Sequence, residues 1–415
     1  MASPRLAKFA LIAAVAASML MYEILLTRIC ALRLFFHFAF LVISNCLLGI
    51  AASGALITLY QDSWRQREPE LLLRFSLLYM ASLVVVYAVL LVYALPLALT
   101  LSNPSHFVQF SLFNLIGAIP FFCGGLVVGI VLSFNADIVN RLYGADLIGA
   151  ALGCFSLPFL LAWGGAGGTM VAIVLLALVG VVAAVPVERR RPALVVGALL
   201  AAGGFAIFPT LDARFPVPVK SFVELSRNVD ANTAAPPLWS AWSTNSRIDV
   251  LRARPAGSRF IFGRGSKLGG MPPIPEQHVI MQDGSAGTFI VNFGEHPEAL
   301  EIIESSLYSA AVHLRPGADV FIIGAGGGND LWAAKAAGAK RIKAVELNEP
   351  ILRVHREVFP HYTRPLLEDP NVEIVIDEGR SALMQDEHRY GVLQMTGIDT
   401  WTALSSGAYV LAVRM

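Results

Sequence analysis

The fold is decided by residues 319–348, DVFIIGAGGGNDLWAAKAAGAKRIKAVELN. Residues 319–323 read as a short buried strand. Gly324, Gly326, Gly327 and Gly328 follow as a turn with almost no side chains. Residues 331–338 read as a helix, and residues 341–347 as a second strand ending at Glu346, with Asn348 just beyond. Strand, glycine turn, helix, strand and acid in this order form the mononucleotide-binding half of a doubly wound sheet. The glycines let a ligand approach the backbone, and the helix start offers free N–H groups. Glu346 lies roughly 20 residues past the turn, where a carboxylate can accept both hydroxyls of a ribose. The bland alternative is a tight turn with no ligand.

Around this stretch the composition is uneven. The chain has 415 residues, of which 56% are hydrophobic, too apolar for one soluble domain. Its net charge of +1 gives no nucleic-acid footprint. Between Phe75 and Val187 the only charged residues are Asp137, Arg141 and Asp146. That half therefore reads as membrane-embedded. Cys30, Cys46, Cys123 and Cys154 all lie in it, which excludes a disulfide framework or cysteine zinc site in the other half. No metal is expected.

Apolar runs lie near residues 9–27, 34–60, 73–101, 108–134, 147–163, 168–186 and 192–208. The first six are long enough to cross about 30 Å of hydrocarbon as helices. The seventh is short and carries Gly203 and Gly204. It reads as a re-entrant or interfacial segment. Arg5, Lys8, Arg65, Arg67, Arg74, Arg141, Arg189, Arg190 and Arg191 fall in loops on one side, which marks that side as cytoplasmic. Six spans then leave the C-terminal domain in the cytoplasm, whereas a seventh would place it outside. The expectation is an integral protein of a bacterial inner or plasma membrane. Its domains are a transmembrane helical domain at 1–208, a connector with a small β unit at 209–298 and a Rossmann-like nucleotide domain at 299–415.

Polar groups at membrane depth are few: Glu23, Arg28, His37, Asn45, Asn114 and Asp146. Asp146 is expected to cap the fifth span, and Gly149 and Gly153 to form a face for close helix packing. In the connector, residues 246–253 and 278–284 alternate like strands of an antiparallel unit. Trp239 and Trp242 are expected to anchor that unit at the membrane surface. Residues 299–314 read as one helix carrying Tyr308 and His313. After Glu346 come a helix at 349–359, a third strand at 371–379 and a fourth at 390–396. Glu378 either accepts from an adenine amino group or caps the next helix.

Together, Tyr308, the turn IGAGGGND at 323–330, VELN at 345–348, DEGRSAL at 377–383 and IDT at 398–400 resemble the spermidine synthases. These are polyamine aminopropyltransferases on the class I S-adenosylmethionine-dependent methyltransferase fold. The β unit with Asp283 and Gly284 matches as well. MYEILLTRI at 21–29, HFAFL at 37–41 and RLYGADLIGAALG at 141–153 resemble the major-facilitator-like spans of membrane-fused members. The resemblance implies that S-adenosylmethionine or its decarboxylated form is held by Gly324, Gly326, Gly328, Asp330, Glu346, Asn348, Glu378 and Gly379. Glu346 would take the ribose and Glu378 the adenine. Tyr308 and Asp399 would be catalytic, and the partner a polyamine or another small acceptor.

Three departures count against that activity. The family has an Asp inside the glycine turn, where Gly327 stands, and another directly after the fourth strand, where Thr396 stands. A Gln usually follows the Asp-Gly of the β unit, where Ser285 and Ala286 stand. Asp399 is then the expected substitute base. The family sheet has seven strands, and this chain stops after the fourth, so a fragment or a sheet completed by a second copy is expected. The competing readings are a methyltransferase on the same cofactor site and a membrane transporter or sensor that only binds a nucleoside.

Overall fold

In a computed structural model, the described residues are 4–33, 39–92, 104–186, 189–214, 216–217, 237–252, 270, 272–284 and 286–397. The chain divides into two compact units, the first being Met1–Val219 and the second beginning at Lys220.

The first unit contains α1 (Pro4–Arg33), α2 (Ala39–Arg65), α3 (Glu68–Val92), α4 (Pro104–Phe134), α5 (Val139–Ala184) and α6 (Arg190–Arg214). All six are long and apolar enough to cross a membrane. Ile148, Leu152, Phe155, Phe159 and Trp163 leave large apolar side chains exposed on α5, as a lipid-facing surface requires.

α5 is 46 residues long and is broken at Gly165, where φ is 64° and ψ is −167°. Gly149 packs on Ala13 and Gly180 on Leu11 and Val15, so both meet the same level of α1. On a straight helix these two glycines would stand about 46 Å apart. α5 is therefore a helical hairpin that turns at Gly165. A left-handed φ and the Asp212 side chain 2.3 Å from the place of a Cβ leave only glycine at that turn. The hairpin accounts for two of the apolar runs in one continuous element. Gly149 and Gly153 do form a close-packing face, since their Cβ atoms would meet the Ala13 and Ala17 carbonyl oxygens at 2.3 and 2.5 Å.

One end of the bundle is tied by charge. Lys8 Nζ donates to Glu68 at 2.7 Å and to Asn135 at 2.6 Å. Arg5 reaches Asp137 at 3.5 Å. This joins the starts of α1 and α3 to the end of α4, as alternating spans require. Midway, Asn45 donates to Asn114 at 3.2 Å. Asp146 lies inside α5, two turns past its start, and is not a cap.

The seventh run departs from expectation. Residues 192–208 are the middle of α6, an unbroken 25-residue helix. Gly197 lies against Val182, Gly204 against Val171 and Leu175, and Phe208 against Gly168. α6 thus runs antiparallel along the second leg of α5 as far as the Gly165 turn. The glycines allow close helix contact and do not break the helix. Pro4 and Arg214 consequently lie at opposite ends of this unit.

The second unit opens with an antiparallel sheet of β1 (Trp239–Trp242), β2 (Arg247–Arg252), β3 (Gln277–Gln282) and β4 (Ala286–Val291), in that spatial order. Two of its strands match the alternating segments, and two were not evident in the sequence. Trp239 and Trp242 pack within this unit. Arg353 stacks over Trp239 at 5.4 Å and Arg247 over Trp242 at 5.5 Å.

Residues 299–314 are not one helix. A short helix, α7 (Glu301–Glu304), is separated from α8 (Ala310–Leu314). The Ser306 and Ser309 hydroxyls both donate to the Ile303 carbonyl at 2.6 Å and end α7 there. Next come β5 (Val320–Ile323), α9 (Asn329–Ala336), β6 (Ile342–Glu346), α10 (Glu349–Arg353), α11 (Pro360–Leu367), β7 (Val372–Ile376), α12 (Gly379–Gln385) and β8 (Val392–Gln394). The strands lie in the order β7-β6-β5-β8, and every pair is parallel. Phe321 and Ile322 on β5 and Ala344 on β6 are fully buried, as strands covered on both faces must be. In this order the sheet reverses its winding between β5 and β8, and ligands bind outside the carboxyl ends of strands at such a point.

Candidate nucleoside site

β5 delivers the glycine turn to that edge. Gly324, Gly326 and Gly328 have φ of 84°, 48° and 85°, a left-handed alternation that side chains disfavour. Gly327 is required for a different reason. A Cβ there would lie 2.0 Å from the Phe289 carbonyl oxygen on β4. No side chain fits at the position where the resembling family carries its polyamine carboxylate.

β6 delivers Glu346, which is 5% exposed. Its Oε2 accepts from the Gly326 N–H at 3.1 Å and its Oε1 from the Asn348 N–H at 3.0 Å. Burial raises its pKa, and these backbone donors oppose the rise. On the far side of the turn, His355 Nε2 lies 2.8 Å from the Gly326 carbonyl oxygen. A carbonyl only accepts, so Nε2 carries the proton. Burial lowers the His355 pKa, which favours this neutral form. The turn is therefore held between a carboxylate and an imidazole.

Four other candidates have local duties. Asn348 is buried, and its Oδ1 accepts from Ser246 Oγ at 2.9 Å and Ser243 Oγ at 3.4 Å. It ties the antiparallel sheet to the end of β6 and is not turned toward the glycine turn as a ligand contact. Glu378 is the cap of α12. Its oxygens accept from Arg380 N at 2.9 Å and from Ser381 N and Oγ at 2.8 Å. Those bonds hold its pKa low, and the helix-cap alternative is the one observed. Gly379 is a packing glycine, since a Cβ would meet Ile323 at 2.3 Å. His313 is exposed, with Nδ1 2.8 Å from the Ser309 carbonyl.

Asp330 turns away from the glycine turn toward β8. Its Oδ1 accepts from Thr396 Oγ1 at 2.7 Å and from Gln394 Nε2. Burial pushes its pKa up to about 6 against these two donors. Gln394 Nε2 also donates to the Tyr308 carbonyl at 2.7 Å. The Tyr308 phenol is raised to about 12 by burial and by the neighbouring Asp330 charge. Tyr308, Asp330, Gln394 and Thr396 are thus gathered at the carboxyl end of β8. Asp399 lies outside the described residues.

His355 and Gln394 were missed in the sequence. Gln394 left a signal, being the polar residue on the buried face that β8 shares with Val392. His355 left none, because a histidine within a helix is unremarkable until its partner is known. Among the described residues, no group of three or more His, Cys, Asp or Glu is placed to hold a metal ion.

No family model matches the chain. A curated relative, the polyamine aminopropyltransferase of Hamiltonella defensa subsp. Acyrthosiphon pisum (strain 5AT), is 33% identical over 75 residues. That match covers 18% of this chain and 26% of the relative, so the chain spans about a quarter of that protein's length. Spermidine synthase in complex with the transition-state analogue AdoDATO matches at TM-score 0.28 and 20% identity, covering 40% of this chain and 47% of that one. Spermidine synthase from Thermotoga maritima matches at TM-score 0.28 and 19% identity, covering 40% and 49%. The chain is thus similar, over part of its length, to polyamine aminopropyltransferases.

Proposed function

We propose that this chain is a membrane-anchored, spermidine synthase-like transferase that binds S-adenosylmethionine or its decarboxylated form at the carboxyl ends of β5 and β6. The observation that carries this reading is the buried Glu346 carboxylate, which ends β6 and reaches across to the N–H of Gly326 at 3.1 Å. The partial similarity to an aminopropyltransferase supports it.

The residues at the ribose end fit such a nucleoside. Glu346 is held beside the turn by backbone N–H groups, Gly326 N on Oε2 and Asn348 N on Oε1 among them, which fixes its carboxylate where a ribose would meet the end of β6. The adenine end fits less well, because both Glu378 oxygens are engaged in the cap. When bound, the nucleoside supplies an electrophilic carbon beside its sulfonium. The chain's own part is to orient and to accept a proton. Glu346 fixes the ribose, His355 stiffens the turn, and a carboxylate near β8 takes the proton of an attacking group.

A second reading, a methyltransferase on the same site, is favoured by Gly327, where the Phe289 carbonyl excludes the polyamine carboxylate. In either reading the host is a lipid bilayer, and the acceptor is a small molecule.

The test is calorimetric titration of the full chain in detergent with 5′-methylthioadenosine and S-adenosylmethionine. Saturable heat with both is expected. Absence of binding to both removes this reading. Label carried to an acceptor from methyl-labelled S-adenosylmethionine would select the methyltransferase form.

A further inference from the structure

The helical bundle gathers its positive charge at one end. Lys8 on α1 bonds Glu68 on α3 and Asn135 just past α4, and Arg5 reaches Asp137. Gly180 lies against Leu11 and Val15, so the end of α5 and the start of α6 return to that same level. Of the Lys and Arg residues from Arg5 to Arg191, all but Arg28 and Arg33 lie where an element begins or finishes at this end. The other end is poor in them. Arg28 is buried, and neither residues 34–38, residues 93–103 nor the turn at Gly165 contain a Lys or Arg. Basic residues in short loops are retained in the cytoplasm, so the Lys8 end is the cytoplasmic one.

α6 starts at that end and finishes at the other. Its Leu194, Val195, Leu199, Leu200, Phe205 and Ile207 are all exposed. They stretch over about 20 Å of helix, and hydrocarbon is the solvent that suits such a surface. At the far end Asp212 accepts the Gly167 N–H at 3.1 Å, which holds the close of α6 to the hairpin turn of α5. Between Arg214 and Trp239 the sequence carries Lys220, Glu224, Arg227 and Asp230 and no apolar run long enough to cross back.

We propose that the nucleoside site of this chain faces the extracytoplasmic side of the membrane and takes its adenosyl ligand from there. The side follows from the charges and from α6 alone. Only the identity of the ligand rests on the reading above. Adenosyl compounds are polar and do not cross hydrocarbon unaided, so the cytoplasmic pool does not reach such a site without a transport step.

The experiment uses the full chain in sealed right-side-out membrane vesicles and a membrane-impermeant maleimide. The four native cysteines lie within the spans, so the unmodified protein is the blank. Lys340→Cys marks the nucleotide fold at an exposed position past α9, and Arg65→Cys marks the exposed end of α2. Lys340→Cys is expected to label in sealed vesicles, and Arg65→Cys only after lysis. Labelling of Lys340→Cys only after lysis overturns the proposal, as does labelling of both variants under the same condition. The second arm adds radiolabelled 5′-methylthioadenosine to sealed vesicles of the wild type. Saturable binding that lysis does not increase is expected. Binding that emerges only on lysis overturns the proposal. Absence of binding before and after lysis, with the maleimide pattern intact, sinks the nucleoside reading and leaves the sidedness standing.

Discussion

The Asp330 carboxylate accepts the Thr396 hydroxyl at 2.7 Å, across the gap between the start of α9 and the end of β8. Thr396 stands where the resembling family carries a carboxylate. Here its hydroxyl is held by a carboxylate that the start of α9 supplies.

Asp330 makes stability depend on pH. Its pKa is raised to about 6 by burial, above an unfolded value near 4. The folded state then holds the proton more tightly than the unfolded one. The contribution is fully present below about pH 4 and is lost as pH rises through about 6. About two units correspond to roughly 3 kcal/mol. Asp330→Asn should melt higher than the wild type at pH 8 and close to it at pH 4. A constant difference across that range would show that Asp330 does not titrate there.

Glu346→Ala should weaken 5′-methylthioadenosine by about 1–3 kcal/mol, because a pair of ribose hydroxyls loses its acceptor. Glu346→Gln, which keeps one carbonyl oxygen, should lose less. Equal calorimetric affinities for all three proteins would remove Glu346 from the site.

Restoring the family's carboxylate by Gly327→Asp should damage the protein and not activate it. A Cβ 2.0 Å from the Phe289 carbonyl forces β4 and the turn apart. Gly327→Ala alone should cost about 2–4 kcal/mol, measured as a lower melting temperature. An Ala variant as stable as the wild type would show that the turn is not pressed against β4.

The hairpin in α5 and the length of α6 fix which positions share a side of the membrane. A phosphatase fused after Ala166 and one fused after Arg214 should report the same side. A fusion after Asp137 should report the other. Agreement between Asp137 and Arg214 would mean that α6 does not cross.

The sequence alone determined the elements whose signals are local. The order of strand, glycine turn, helix, strand and acid at 319–348 followed from periodicity and from residues that tolerate left-handed backbone. The apolar runs followed from length and composition. Glu346 could be singled out because its distance from the turn is set by one helix and one strand. Tertiary structure decided whatever depends on a partner remote in sequence. Residues 168–186 turn back on 147–163 because α1 receives both legs, and no property of either run encodes that. Asn348 became a strut because Ser243 and Ser246 arrive from another sheet. Gly327 reads as a missing carboxylate until Phe289 of β4 fills the space. Asp330 gained its partners only when β8 settled beside β5. Hydrogen bonds and steric contacts act over a few ångströms, and the folded chain alone decides which groups come that close.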